Sequence, residues 1–204
     1  MNDNDQIKKD HPFSYKGIMH AYDAKEIGES IPFWVSIALA VTTLVITWLS
    51  SKSFYEILIF WTEQIMAVFP NLLGFNLGGY ALIVGFGNGS LLKAMTRKNA
   101  GKKSTIFQKL SGVFAFSILL QLAAFIAAFL ITFLNKFEFK SNSQITVDSV
   151  NALLVFILSF LGFWGLLIIP NLVSNVFTFG QMHHSLLTIE RIKSERRNRE
   201  RDNT

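Results

Sequence analysis

Three uncharged stretches govern what this chain can become: 26 positions between Lys109 and Lys136, 29 between Glu63 and Lys93, and 41 between Asp148 and Glu190. A helix crosses the hydrocarbon core of a bilayer with about 20 predominantly apolar residues, so each stretch is long enough to cross. What remains cannot coat a water-soluble domain, because only 16% of the 204 residues are charged while 50% are hydrophobic. The lack of cysteine excludes a disulfide-stapled secreted scaffold. The sequence therefore reads as an all-α integral membrane protein.

Residues 1–30 carry Lys8, Lys9, Lys16 and Lys25 against six acids, with no apolar run before Ile31. They are read as a cytoplasmic arm in place of a cleaved leader. Within the arm, Tyr15, Ile18, Met19 and Tyr22 recur at helical spacing and Gly28 can end the turn, which predicts a short amphipathic helix on the inner leaflet or under the bundle. The first span is Ile31–Leu49, with Trp34 and Trp48 near its ends where aromatic rings favour the headgroups. Between Phe54 and Leu92 the apolar run exceeds one crossing and contains Pro70. Because Glu56, Glu63 and Gln64 are costly in hydrocarbon, residues 54–69 are expected to form a separate helix that is interfacial, partly re-entrant or buried against other helices, with the second span over 71–92. The third span is 111–134, and the fourth is 150–169, with a kink at Pro170.

Four spans make a membrane domain of residues 31–189, followed by a basic tail, 190–204. The arm, the loop between spans two and three, and the tail hold 4, 6 and 6 basic residues, against 1 and 2 in the other two loops. The positive-inside rule then places both termini in the cytoplasm. The net charge of +5 reports orientation on this reading, and no specific nucleic-acid partner is predicted.

Gly74, Gly78, Ala81, Gly85 and Gly89 share one helical face, a groove against which another backbone can pack closely. That groove serves packing within one subunit or contact between copies. The run Gly85-Phe86-Gly87-Asn88-Gly89 lacks the preceding strand and third glycine of a dinucleotide fingerprint, and an ion-filter reading would need the opposite side of the membrane. Lys93, Arg97, Lys98, Lys102 and Lys103 form a positive-inside loop that can also hold an anionic ligand or lipid headgroup.

After Pro170, Asn171, Ser174, Asn175, Thr178, Gln181 and Ser185 recur three or four apart along an apolar segment. Neutral amides and hydroxyls on one face suit the wall of an aqueous path, and they equally suit hydrogen bonding between helices. Glu56 and Glu63, seven apart, share a face at the outer end, where copies around an axis would form acidic rings that attract cations; simple solvation or pairing is the alternative. His183 and His184 are adjacent, hence on different faces, and suggest no metal site. In the tail, Glu195 and Arg199 are one turn apart and can pair. There is no nucleophile elbow and no His–carboxylate pair at ligand spacing, so neither an enzyme nor a cofactor is expected.

The arrangement of four spans, cytosolic arm and basic tail resembles the compact membrane effectors of bacterial anti-phage systems, such as the Kiwa and Hailong membrane subunits. The resemblance is one of architecture over the whole chain and carries no residue roles. It implies a protein of the bacterial inner membrane that acts with a cytosolic partner. The expectation is a homo-oligomeric channel, cation-passing and gated from the cytosol. Its alternative is a non-conducting scaffold or sensor that docks a cytosolic protein through the basic loop and tail.

Overall fold

The computed structural model describes residues 17–18, 24–86, 91–92, 95–96, 104–137 and 144–202. Among them the helices are α1 (Ala24–Gly28), α2 (Ile31–Leu49), α3 (Phe54–Phe86), α4 (Ile106–Leu134), α5 (Gln144–Leu167) and α6 (Ile169–Asp202), and no strand occurs. Four helical segments are long and apolar enough to cross a membrane. The first coincides with the expected span. Pro32 occupies its first turn, where the missing N–H costs nothing. The Trp34 indole donates to the Gly28 carbonyl at 2.8 Å, closing the corner with α1.

The separate interfacial helix over 54–69 is overturned. Residues 54–86 form one helix of 33 residues that runs through Pro70, about 50 Å long at 1.5 Å per residue. Pro70 lies on the exposed side, where its ring displaces no packed neighbour. The two glutamates and the glycine row thus belong to a single rod. Helix α4 starts five residues before the expected 111, because Thr105 and Gln108 form a capping box: Gln108 N–H donates to Thr105 Oγ1 at 3.1 Å and Thr105 N–H to Gln108 Oε1 at 2.8 Å. The fourth span also starts earlier, at Gln144, and ends at Leu167. Beyond it Ile168 forms a turn and α6 begins, as expected from Pro170, which offers no N–H to the Leu166 carbonyl.

Helix α3 packs on α4 and α5, and α2 packs on the far side of α5. One apolar core joins Leu58, Ile65 and Phe69 of α3 to Ala124, Ala128, Val155 and Leu158. A second joins Ile83, Leu110, Val113 and Phe114 to Leu172 and Phe179 of α6. The glycines that permit close approach are Gly162 and Gly165 of α5. A Cβ on Gly162 would stand 2.9 Å from the Trp61 ring, and one on Gly165 would stand 2.9 Å from the Phe69 ring.

The row assigned to helix packing behaves otherwise. Gly74, Gly78 and Gly85 have no atom within 4 Å of an added Cβ, Ala81 is exposed, and Gly89 lies outside the described residues. Among the described residues Gly74, Gly78 and Gly85 are therefore not a packing face, since α4 and α5 occupy the other side of α3. Gly162→Leu is expected to destabilise the detergent-solubilised protein by about 1–3 kcal/mol through overpacking. Gly78→Leu is expected to leave the denaturation of the dissociated single chain within about 0.5 kcal/mol of the unsubstituted one.

Candidate functional site

Continuity of α3 gives the molecule its most unusual surface. At 100° per residue, Glu56, Glu63, Ala67, Gly74, Gly78, Ala81 and Gly85 fall within about 60° of arc, and all seven are exposed. The first half of this stripe carries the two acids with exposed Phe60 between them, and the second half is small. Its N-terminal end is fixed by Tyr55, whose hydroxyl donates to Asn135 Oδ1 at 2.8 Å. Glu56 is next to that end and pairs with Lys52 at 3.2 Å. Glu63 is eight residues past Tyr55, about 12 Å by helical rise, and has no hydrogen bond or ion pair among the described residues. Gln64 and Asn71, beside the stripe, are exposed as well.

The opposite end of the bundle is marked by Lys109, paired with Glu26 of α1 at 2.9 Å. That bond ties the end of the arm to α4. Asn175 and Thr178 line a cleft with Lys109, Leu110 and Val113, so the stripe of α6 sits at the charged edge of the bundle, below the uncharged length of α4. Asn171, Ser174, Thr178, Gln181 and Ser185 are exposed and Asn175 is half-buried. The Thr178 and Ser185 hydroxyls donate to the Ser174 and Gln181 carbonyls at 2.8 and 2.9 Å, which leaves oxygen lone pairs directed outward. His183 is half-buried and His184 is exposed. Past Leu186 every described residue of α6 is exposed. Glu195 pairs there with Arg191 at 2.9 Å, in place of the expected Arg199. Lys93, Arg97, Lys98, Lys102 and Lys103 lie outside the described residues, as do Tyr15, Met19 and Tyr22 of the arm.

A third polar feature is internal. Asn76 and Gln121 are 1% and 0% exposed. Asn76 Nδ2 donates to Gln121 Oε1 at 2.7 Å, and Gln121 Nε2 donates to the Gly165 carbonyl at 3.0 Å. The orientation of both amides follows from the end of this relay. A carbonyl can only accept, so Gln121 presents its NH2 to Gly165 and its oxygen to Asn76. Asn76 Oδ1 is left without a partner, as is Oγ of buried Ser117, one turn from Gln121. Gln121 stands out in the sequence as the strongly polar residue of its span, whereas Asn76 was not singled out. The available signal was its position on the side of α3 opposite the glycines.

No protein-family model, curated protein or solved structure matches the chain. The architecture itself defines the class, an all-helical protein with four helices long and apolar enough to cross a membrane.

The relay carries a measurable energy. In a double-mutant cycle, Asn76→Leu and Gln121→Leu are expected to couple by about 0.6–1.7 kcal/mol, the range of interhelical hydrogen bonds inside membranes. Denaturation in mixed micelles measures it, and additivity of the two substitutions would refute the pairing.

Proposed function

We propose that this chain is the subunit of a homo-oligomeric, cation-passing channel of the bacterial inner membrane, with both termini cytoplasmic and gating from the cytosol. The observation that carries the reading is Glu63, exposed and without a partner among the described residues, about 12 Å along α3 from the Tyr55–Asn135 bond. A carboxylate facing hydrocarbon costs several kcal/mol, and such residues mark ion paths or pair with one another. Placing the stripe at a water-lined seam between copies removes that cost. The small half, Gly74 to Gly85, lets neighbouring backbones approach, while the acidic half faces the path and selects cations electrostatically.

One bundle of four spans is too small to enclose a wide path, so several copies surround an axis. The α6 stripe, beside Lys109, then lines the cytosolic mouth. An anti-phage role, implied by the architectural resemblance, belongs to this proposal. Opening on infection would depolarise the inner membrane.

Planar-bilayer recording in asymmetric potassium chloride tests the proposal. Discrete steps are expected, with a reversal potential on the potassium side. Glu63→Gln is expected to move that potential towards zero, and Asn175→Leu or Thr178→Leu to reduce conductance. An unmoved reversal potential in Glu63→Gln would remove the acid from the path.

The exposure of α6 beyond Leu186 favours a second reading. On it the chain is a non-conducting scaffold whose basic tail, with Arg191, Lys193, Arg196, Arg197, Arg199 and Arg201, docks an acidic cytosolic protein. Deleting residues 190–204 would then abolish partner recovery, whereas a channel with an independent gate would still conduct.

A further inference from the structure

Lys109 is the last charged residue before 26 uncharged positions, so in a bilayer it stands where hydrocarbon gives way to headgroups. At this depth α4 and α6 part into an open cleft of about 180 Å³. Its floor is apolar, with Leu110, Val113 and Phe179 buried. Lys109, Asn175 and Thr178 line it as well and give it a polar edge.

Three features of that edge favour negative charge. The Lys109 amine is exposed and carries three hydrogens, and Glu26 engages it at 2.9 Å, which leaves donors to spare. Asn175 is the half-buried member of the α6 stripe, and its side-chain amide has no hydrogen bond among the described residues; it offers two N–H donors. Helix α4 begins at Ile106, which lines the same cleft, so the positive end of the helix dipole lies beside it. The capping box engages the N–H groups of Thr105 and Gln108 and leaves those of Ile106 and Phe107 without a helical partner.

The apolar floor decides between kinds of anion. A soluble anion would use the edge and leave Leu110, Val113 and Phe179 bare. A molecule with an anionic head and an apolar chain uses both, and basic pockets between membrane helices at headgroup depth hold such lipids. The Thr178 hydroxyl gives its proton to the Ser174 carbonyl at 2.8 Å, so its oxygen remains an acceptor for a headgroup hydroxyl.

We propose that the cleft between α4 and α6 binds an anionic phospholipid, its phosphate between the Lys109 amine and the Asn175 amide and the start of one acyl chain over Leu110, Val113 and Phe179. The Glu26 carboxylate shares Lys109 with the phosphate and opposes it, so α1 weakens the hold on the lipid. The inference rests on the membrane placement of the chain and goes beyond conduction. Its test reads binding, so electrical silence leaves it standing, and failure to bind lipid leaves the channel standing.

Mass spectrometry of the intact full chain, released from detergent micelles, counts bound lipid as phosphatidylglycerol or phosphatidylcholine is added. The first phosphatidylglycerol is expected to bind more tightly than phosphatidylcholine. Lys109→Gln is expected to weaken it about five-fold, the contribution of one cation at a membrane surface, and Lys109→Arg to retain it. Asn175→Asp keeps the shape, adds a negative charge, and is expected to weaken it by a similar factor. Glu26→Gln is expected to tighten it about two-fold, the opposite of what losing a merely structural ion pair would do. Phosphatidylcholine binding is expected to be the same in all of these chains. Equal binding of the two lipids, or a Lys109→Gln chain that holds phosphatidylglycerol as tightly as before, overturns the site. Weaker binding in Glu26→Gln overturns the shared amine. Displacement of the lipid by an equal concentration of glycerol phosphate, the headgroup without chains, would make the ligand a soluble anion and overturn the lipid. Lys109 and Glu26 are exposed, so their variants decide the matter alone if Asn175→Asp is not recovered folded.

Discussion

Hydrocarbon offers no hydrogen bonds, so every polar group inside it must be answered by protein or by water. Helix α3 meets this constraint differently on its two sides. On the covered side, Asn76 finds Gln121, and Gln121 finds the backbone of Gly165. On the bare side, Glu63, Gln64 and Asn71 find nothing among the described residues. The first arrangement fixes how α3, α4 and α5 meet. Inside a bilayer the second would require something beyond the described residues, and it is the source of the proposal that copies assemble around water.

The two kinds of glycine divide along the same line. Gly162 and Gly165 are buried beneath Trp61 and Phe69 and set the distance between α3 and α5. Gly74, Gly78 and Gly85 face open space. Small residues are enriched in membranes where another backbone approaches, and among the described residues none approaches the second group. Aromatic rings reinforce the covered side: Phe33 packs edge-on against Phe160 and Trp164 at 5.8 and 5.2 Å, which holds α2 to α5. The result is a bundle well packed on one flank and unfinished on the other.

Much of the helical architecture was legible in the sequence, because uncharged length is a strong signal for helices able to cross a membrane. Ile31–Leu49 was readable to the residue, and the interruption before Pro170 followed from the chemistry of proline. Pro70 misled for an instructive reason. A proline in a helix is disruptive where its ring meets a packed turn, and the sequence does not say that this one faces outward. Splitting the helix there separated Glu56 and Glu63 from the glycines, so that two short patterns concealed one long stripe. The capping box of Thr105 and Gln108 is present as residue types, but it follows a run of basic residues that reads as a loop by charge. Gln121 was visible and its partners were not, since a relay across three helices depends on tertiary placement that periodicity does not encode.

The central claim is that the bare face of α3 meets water along its acidic half and another copy along its small half. Cysteine scanning of α3 in native membranes tests it most directly, at Phe60, Glu63, Ala67, Gly74, Gly78 and Ala81, in this cysteine-free chain. The account predicts that a membrane-impermeant, water-soluble thiol reagent labels Glu63→Cys and Ala67→Cys, and that Gly74→Cys and Gly78→Cys form disulfide-linked dimers under mild oxidation. If neither labelling nor dimers appear at any of these positions, the face is turned to lipid and the account is wrong.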